Sequence, residues 1–398
     1  MTKIDDKRVP ALRFKGFNDD WAQRKLKDLT DVRDGTHSSP KYVEAGHPFI
    51  TSKNINNGSI DYRDIKYITD EDFDEINKRS KVDIHDILMG MIGTVGNLAL
   101  IDKKPNFAIK NIALIKDSGK IDYLFLYNFL QSNYVSKELI QKLDGGTQKF
   151  ISLNKVRDLN ISVASFQEQK AISKCLMRVN NLLILQQRKL QQLKLLKKAM
   201  LQDLFADKAV PKLRFRGFKD YWVPKKLGDI ANFINGRAYK QNELLDKGKY
   251  KVLRVGNFYT NDSWYFSNLE LKPQYYINKG DLVYTWSATF GPHIWRGEKV
   301  IYHYHIWKIN LSKSLNKKFV FYLLKADKAK LLSNTNGSTM IHITKRNIES
   351  KTVLIPNTIE QSQIRNSLDN VSNLITFQQE KIAEVKQIKQ FLLQNMFI

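Results

Sequence analysis

The chain has 398 residues, with 65 Lys and Arg against 40 Asp and Glu, for a net charge of +25. That length exceeds the roughly 250–300 residues at which one core stops growing, so two or more domains are expected. A hydrophobic content of 42% excludes global disorder, the single cysteine excludes a disulfide framework or cysteine-clustered zinc site, and no apolar run is long enough to span a membrane.

The polar start MTKIDDKRVP is not a signal peptide, so a cytoplasmic protein is expected. The basic excess points to a polyanionic partner, most often nucleic acid, and its distribution is uneven. Residues 1–150 carry a net +2, 151–200 carry +8, 201–350 carry +14 and 351–398 carry +1. The acidic run Asp70, Glu71, Asp72, Asp74 and Glu75 keeps the first third nearly neutral.

In chain order, residues 9–29 (VPALRFKGFNDDWAQRKLKDL) return as 210–230 (VPKLRFRGFKDYWVPKKLGDI), with 12 of 21 positions identical at an offset of 201. Residues 168–205 return as 360–397, with 15 of 38 identical at an offset of 192. The chain is therefore two copies of one unit. Each begins with short strand-like runs: His47–Ser52, Ile87–Gly93 and Phe107–Ile115, then Lys251–Val255, Leu282–Thr289 and Val300–Ile309. A helical stretch follows (Asp122–Leu143; Leu315–Ser333), then a turn at Gly145-Gly146-Thr147 or Gly337-Ser338-Thr339.

Each unit closes with a long amphipathic helix. Ser165 with Glu168, and Thr358 with Gln361 three positions on, fit capping boxes at the two starts. Apolar residues then recur in steps of four and three: Ile172, Leu176, Val179, Leu183, Leu190, Leu193, Met200 and Leu204. The second helix repeats this with Ile364, Leu368, Val371, Ile375, Ile382, Val385, Leu392 and Met396. Such spacing favours a two-helix coiled-coil seam, about 57 Å long for about 38 residues. Gln186 and Gln378 interrupt the seam at matching positions. In an antiparallel pair they face each other and set the register, or else they lie at its edge in water. Cys175 falls beside the seam, as a small buried hydrophobe.

Chemistry is missing. No two prolines are adjacent, which excludes an Asn-Pro-Pro-aromatic methyltransferase motif, and no phosphate-binding loop of the G-x-x-x-x-G-K type occurs. His303 and His305 share a strand face but lack a third ligand nearby, so aromatic packing is the reading and no metal is expected. Asp34-Gly35-Thr36-His37 reads as an Asx-type turn presenting a polar loop. Phe14, Trp21, Phe215 and Trp222 recur identically in both units and so read as core or docking residues.

The duplicated LRFxGF…W openings, DGTHxxPxY at Asp34–Tyr42, the Gly-Thr and Gly-Ser turns and the paired Glu-Gln helix starts resemble the DNA-specificity subunit of type I restriction-modification enzymes. The resemblance covers essentially the whole chain. It departs from the pattern where Ala164 replaces the proline that Pro356 supplies, and where Asn235-Gly236-Arg237 replaces DGTH. It implies an α+β fold: two mixed α/β target recognition domains (1–160 and 208–355) joined by two long antiparallel coiled-coil helices (161–207 and 356–398). Each domain would read one half of a bipartite, asymmetric double-stranded DNA target, without catalysis by this chain. Two methylation subunits with S-adenosylmethionine and two restriction subunits with ATP and Mg would do the chemistry. A free-standing bivalent DNA-binding regulator or architectural protein is the alternative.

Long polar side chains at turns and strand ends are the candidate DNA contacts, because phosphates reward charge and base edges reward Arg and Asn. In the first domain these are Arg33, His37, Lys41, Lys53, Asn54 and Lys149; in the second, Arg237, Tyr239, Lys240, Arg254, Asn257, Lys345 and Arg346.

Overall fold

The computed structural model describes residues 9–56, 58–205, 208–287, 289–333 and 343–398, so the Gly337-Ser338-Thr339 turn lies outside the described residues. The chain forms two compact units, Met1–Gln187 with Glu380–Ile398, and Arg188–Gln379. The expected division into four consecutive segments follows secondary structure, whereas compactness cuts through the middle of both long helices. Each unit holds the first part of one helix and the last part of the other.

In unit 1 the strands Val32–Asp34, Ile112–Ile115, Ile87–Gly90 and Leu98–Leu100 form an antiparallel sheet in that order. Alternate residues leave opposite faces. Ile87, Met89, Ala113 and Ile115 pack against helices, while Leu88, Ile112 and Leu114 join Ile50, Phe107 and Ile109 on the other face. A smaller sheet orders Lys66–Ile68, His47–Thr51 and Ala108–Lys110, the last two parallel.

The expected single strand Phe107–Ile115 is therefore two, in different sheets. Asn111, at φ 52°, breaks it, because a residue in the left-handed region cannot continue a pleated strand. Unit 2 does the same: Val300–Tyr302 pairs parallel with Tyr250–Leu253, and Ile306–Leu311 lies between Ala231–Asn235 and Leu282–Thr285. Its four-stranded order, closed by Gly291–Ile294, repeats that of unit 1. In both units a two-stranded ribbon (Ala22–Lys25 with Asn160–Val163; Val223–Lys226 with Thr352–Ile355) leads into the long helix.

The long helices span Phe166–Asp203 and Thr358–Asn395, 38 residues each. In unit 1, Ile172 and Leu176 from the start of one share a core with Leu392, Leu393, Met396 and Phe397 from the end of the other. In unit 2, Ile364 and Leu368 meet Met200, Leu201, Leu204 and Phe205. Starting turns thus lie beside closing turns in each unit, the antiparallel sense that the seam implies. Gln186 is half-buried and Gln378 is 2% exposed, both on the buried stripe of their own helix.

Helix entry differs from the capping-box expectation. The Ser165 hydroxyl accepts the Glu168 N–H at 3.4 Å, and Asn357, not Thr358, accepts that of Glu360, at 2.9 Å. The Glu168 carboxylate turns inward instead, 1% exposed, and receives Arg13 through two bonds of 2.7 and 2.8 Å. Trp21 Nε1 donates to it at 3.2 Å. Glu360 receives Arg214 at 2.8 and 2.9 Å in the same way. Gln169 and Gln361 hold the preceding helix, each accepting one backbone N–H, from Asp122 and Asn316 respectively, at 2.9 and 2.8 Å. The duplicated motif is a clasp that fixes the long helix to the recurrent opening segment.

One equivalent pair differs between units. Lys389 donates to Gln131 at 3.1 Å in unit 1, whereas Lys197 and Lys325 occupy the matching places in unit 2. Burial lowers the pKa of Lys325, and the charges of Lys197 and Lys328 lower it further. Lys325→Gln is expected to raise the thermal midpoint of unit 2 by about 2–4 °C, the shift that about 1 kcal/mol produces in a unit of this size. An unchanged or lower midpoint in calorimetry counts against the repulsion.

Candidate nucleic-acid interface

The turn at Asp34–His37 forms because the chain must pass close to the neighbouring strand. A Cβ on Gly35 would lie 2.3 Å from the Ile109 carbonyl oxygen, and one on Gly236 would lie 2.4 Å from that of His303. Only glycine fits at either place. Beyond Gly35, the buried Asp34 carboxylate takes Arg79 on one oxygen and His37 Nε2, at 2.8 Å, on the other. His37 Nδ1 lies 2.8 Å from Asn111 Oδ1, which holds a ring that is 65% exposed.

This tip extends through Ser52, whose hydroxyl donates to the Asn111 carbonyl and accepts the N–H groups of Met91 (3.0 Å) and Ile92 (3.3 Å). Gly93 N–H in turn donates to the Lys149 carbonyl at 3.0 Å. The structure thus brings Arg33, His37, Lys53 and Lys149 into one network of turns. Arg33 is held by Asp31 at 2.6 Å and by the Arg79 carbonyl at 3.2 Å, while Lys149 Nζ donates to the Gly145 carbonyl at 2.8 Å. Lys41 and Lys53 are exposed.

Asn54 requires correction as an outward-facing reader. It is buried, accepts the backbone N–H and the hydroxyl of Thr51 at 3.0 and 2.8 Å, and donates to the Asp61 carbonyl at 3.2 Å. Asn257 is its counterpart, accepting Arg254 N–H at 3.0 Å and donating to the carbonyls of Asn261 and Ser263. Both amides close a turn, which uses their donors and acceptors.

In unit 2 the equivalent tip is built differently. Arg237 forms a bidentate pair with Glu243 at 2.8 and 2.6 Å and lies over the Tyr239 ring. That pair holds Glu243 well below the usual carboxylate range, at about 2. Tyr239 is half-buried with its hydroxyl enclosed, and burial pushes its pKa far up, so it packs and does not reach outward. Arg254 stacks on Tyr265, with Nη2 donating to the Ser263 carbonyl at 3.0 Å. Lys240 is exposed. Lys345 and Arg346 stand apart, on the short helix Lys345–Glu349 beside Gly228 and Asp229.

Sequence reasoning did not single out Arg79, Ser52 or Asn111. Asn111 had a signal, a lone asparagine inside the apolar run Phe107–Ile115. Arg79 had none, because the helix Asp70–Ser80 meets the Asp34 turn only through the fold. Among the described residues no group of three or more His, Cys, Asp or Glu is arranged to hold a metal.

Comparison with known proteins adds three findings. The sequence pattern described as Type I restriction modification DNA specificity domain matches residues 18–195 and again 219–387. The type I restriction enzyme MjaIX specificity subunit of Methanocaldococcus jannaschii is 24% identical over 415 aligned positions, covering 95% of this chain and 92% of its own length. Two solved structures share the fold. One is a chain from a study of complex assembly and conformational transition of the type I R-M system (TM-score 0.63, 16% identity, 95% and 97% of the two chains covered). The other is the S subunit of the type I restriction-modification system from M. genitalium (TM-score 0.55, 15% identity, 98% and 99% covered).

Proposed function

The chain belongs to the type I restriction-modification DNA specificity family, and from that premise we propose that it supplies sequence recognition to a methyltransferase and endonuclease without catalysing either reaction. Each recognition domain, 1–160 and 208–355, reads one half of a bipartite target. The observation that carries this reading is the pairing of a duplicated clasp with divergent tips. Arg13–Glu168 and Arg214–Glu360 are superposable in chemistry, whereas among the described residues Asp34–His37–Asn111 has no counterpart around Arg237, which pairs with Glu243 instead. Residues that build the fold repeat; residues that read bases are free to differ. The larger basic excess after residue 150 gives the second half the stronger phosphate grip.

Two methylation subunits dock on the long helices. Leu182 and Leu374, Leu185 and Phe377, and Leu196 and Ile388 are exposed pairs separated by 192 positions, so a partner in two copies meets one apolar pattern twice. The methylation subunits bind S-adenosylmethionine and methylate adenine N6. Two restriction subunits use ATP and Mg, and the assembly works on double-stranded DNA in the cytoplasm. Among the described residues no helix is long and apolar enough to cross a membrane.

Gln186 and Gln378 set the helix register in this reading. Changing both to leucine is expected to shift register or oligomeric state, measured by spin-label distances and light scattering, and no shift removes the role. The deciding experiment maps N6-methyladenine in host DNA with and without the gene, in cells expressing the partner subunits. Loss of one bipartite methylated motif is expected, and exchange of residues 1–160 for another recognition domain changes only one half of it. An unchanged methylome, with specific DNA binding by the purified chain alone, would instead support the free-standing regulator.

A further inference from the structure

Unit 2 carries a stack of rings that runs from its core to its surface. Tyr284 and Trp307, both buried, stack at 5.9 Å between centroids and 20° between planes. Trp307 then meets Trp286 at 5.9 Å and 19°. Trp286 lies 6.0 Å from Tyr304 and 4.9 Å from His305, and Tyr304 and His305 are 3.9 Å apart. The Trp286 Nε1–H donates to the Tyr304 carbonyl at 2.9 Å, which locks the indole against the turn. Tyr304 ends the series at 38% exposure.

Strand register identifies what unit 1 has at these places. Tyr284 and Asn235 flank Trp307 as Met89 and Asp34 flank Ala113. Two residues along each strand, Met91 corresponds to Trp286 and Asn111 to His305. Unit 1 therefore places a polar clamp on His37 where unit 2 places an aromatic ledge. The core does not demand the difference, because Met89, Met91 and Ala113 pack the same sheet without rings.

The surroundings favour one ligand class. Arg254 lies close enough to His303 to oppose its protonation, and Arg237 occupies the adjoining turn, its N–H on the Tyr302 carbonyl and its carbonyl accepting the Tyr304 N–H. Burial first, then His305 and Arg254, hold the pKa of His303 down to about 4, so its ring is neutral at pH 7. The Arg237 guanidinium is committed to Glu243, so the cation near the ledge is Arg254. An anchored ring surface with a guanidinium nearby matches a nucleobase, which has a π-face for the ring and a phosphate for the cation. An apolar protein segment would gain nothing from that cation.

We infer that Tyr304, backed by Trp286 and His305, is a stacking platform for a base unstacked from its neighbour in the half-site that unit 2 reads. This rests on the reading of the chain as a DNA specificity subunit. In that half-site, flexible pyrimidine–purine steps are favoured, because they unstack at least cost. Discrimination there comes partly from deformability, whereas unit 1 relies on polar contacts.

The test uses the complete methyltransferase complex and a duplex bearing its methylated motif. A fluorescent base analogue (2-aminopurine for purines, pyrrolo-cytosine for pyrimidines) is moved through each position of the unit 2 half-site. Wild type and Tyr304→Phe are expected to give a several-fold rise in fluorescence at one position. Tyr304→Leu, which keeps bulk but lacks a ring, should abolish that rise and weaken specific binding by about 5- to 100-fold, with non-specific binding unchanged. Tyr304→Ser, at an exposed position, should match Tyr304→Leu, and unaltered thermal midpoints show that both are folded. No responsive position in wild type, or retention of signal and affinity by Tyr304→Leu, overturns the platform. Failure of the wild-type complex to bind the motif at all would instead overturn the specificity reading.

Discussion

Replacing Phe397 by alanine is expected to unfold the first unit, far from that residue in sequence. Phe397 is buried, with its ring 6.4 Å from Trp21, 5.5 Å from Phe125 and 5.6 Å from Phe129. It enters that core because the closing turns of the second long helix belong to unit 1. Truncating a buried phenylalanine costs about 3–5 kcal/mol, a large share of the roughly 5–15 kcal/mol that stabilises a domain. Hydrogen exchange resolves the effect by unit. Amides of Tyr123–Leu130 should lose protection while those of Lys317–Ser333 keep it. Phe205→Ala should do the converse, since Phe205 packs 5.5 Å from Phe319. Equal loss in both units would refute the assignment of these residues.

Arg13→Ala should be nearly as damaging. It leaves the Glu168 carboxylate buried, with the Trp21 indole N–H still donating to it. Removing one partner of a buried pair costs about 3–5 kcal/mol, whereas exchanging both partners for apolar residues of similar size is often neutral. Arg13→Met with Glu168→Met is therefore expected to recover most of the loss in chemical denaturation. Arg214→Ala should repeat the effect in unit 2, where Arg214 holds the buried Glu360. A cost below about 0.5 kcal/mol, typical of a surface change, would show that the clasp contributes little.

Much of this architecture was legible. The two offsets revealed the duplication, steps of four and three along residues 172–204 and 364–396 located two long helices, and the polar residues Ser165 and Thr358 placed their starts to within a residue. Those patterns are local, so periodicity reports them. Strand boundaries were less legible at Phe107–Ile115 and Val300–Ile309, where one apolar run serves two sheets. Hydrophobicity is similar on both sides of each break; in the first run the lone Asn111 marks it, and its left-handed backbone makes it.

The candidate contacts divide in the same way. Residue type and turn position selected Arg33, His37 and Lys149, which the fold gathers around Asn111 and Ser52. The same criteria selected Asn54 and Asn257, which cap turns, and Arg237, which is paired with Glu243. A polar side chain at a turn serves either the turn or a ligand, and the choice depends on atoms contributed from elsewhere.

By itself, then, the sequence determined that the chain is a duplicated unit with paired long helices, a basic second half and no catalytic motif. Repetition, period and charge are properties of the order of residues and survive without coordinates. Tertiary structure alone decided that Glu168 serves Arg13 and does not cap its helix, that Phe397 completes the core around Trp21, and that Asn111 holds His37 where His305 at the equivalent place packs against Trp286 and Tyr304. Each of these joins residues distant in sequence, and packing, not local propensity, selects such partners.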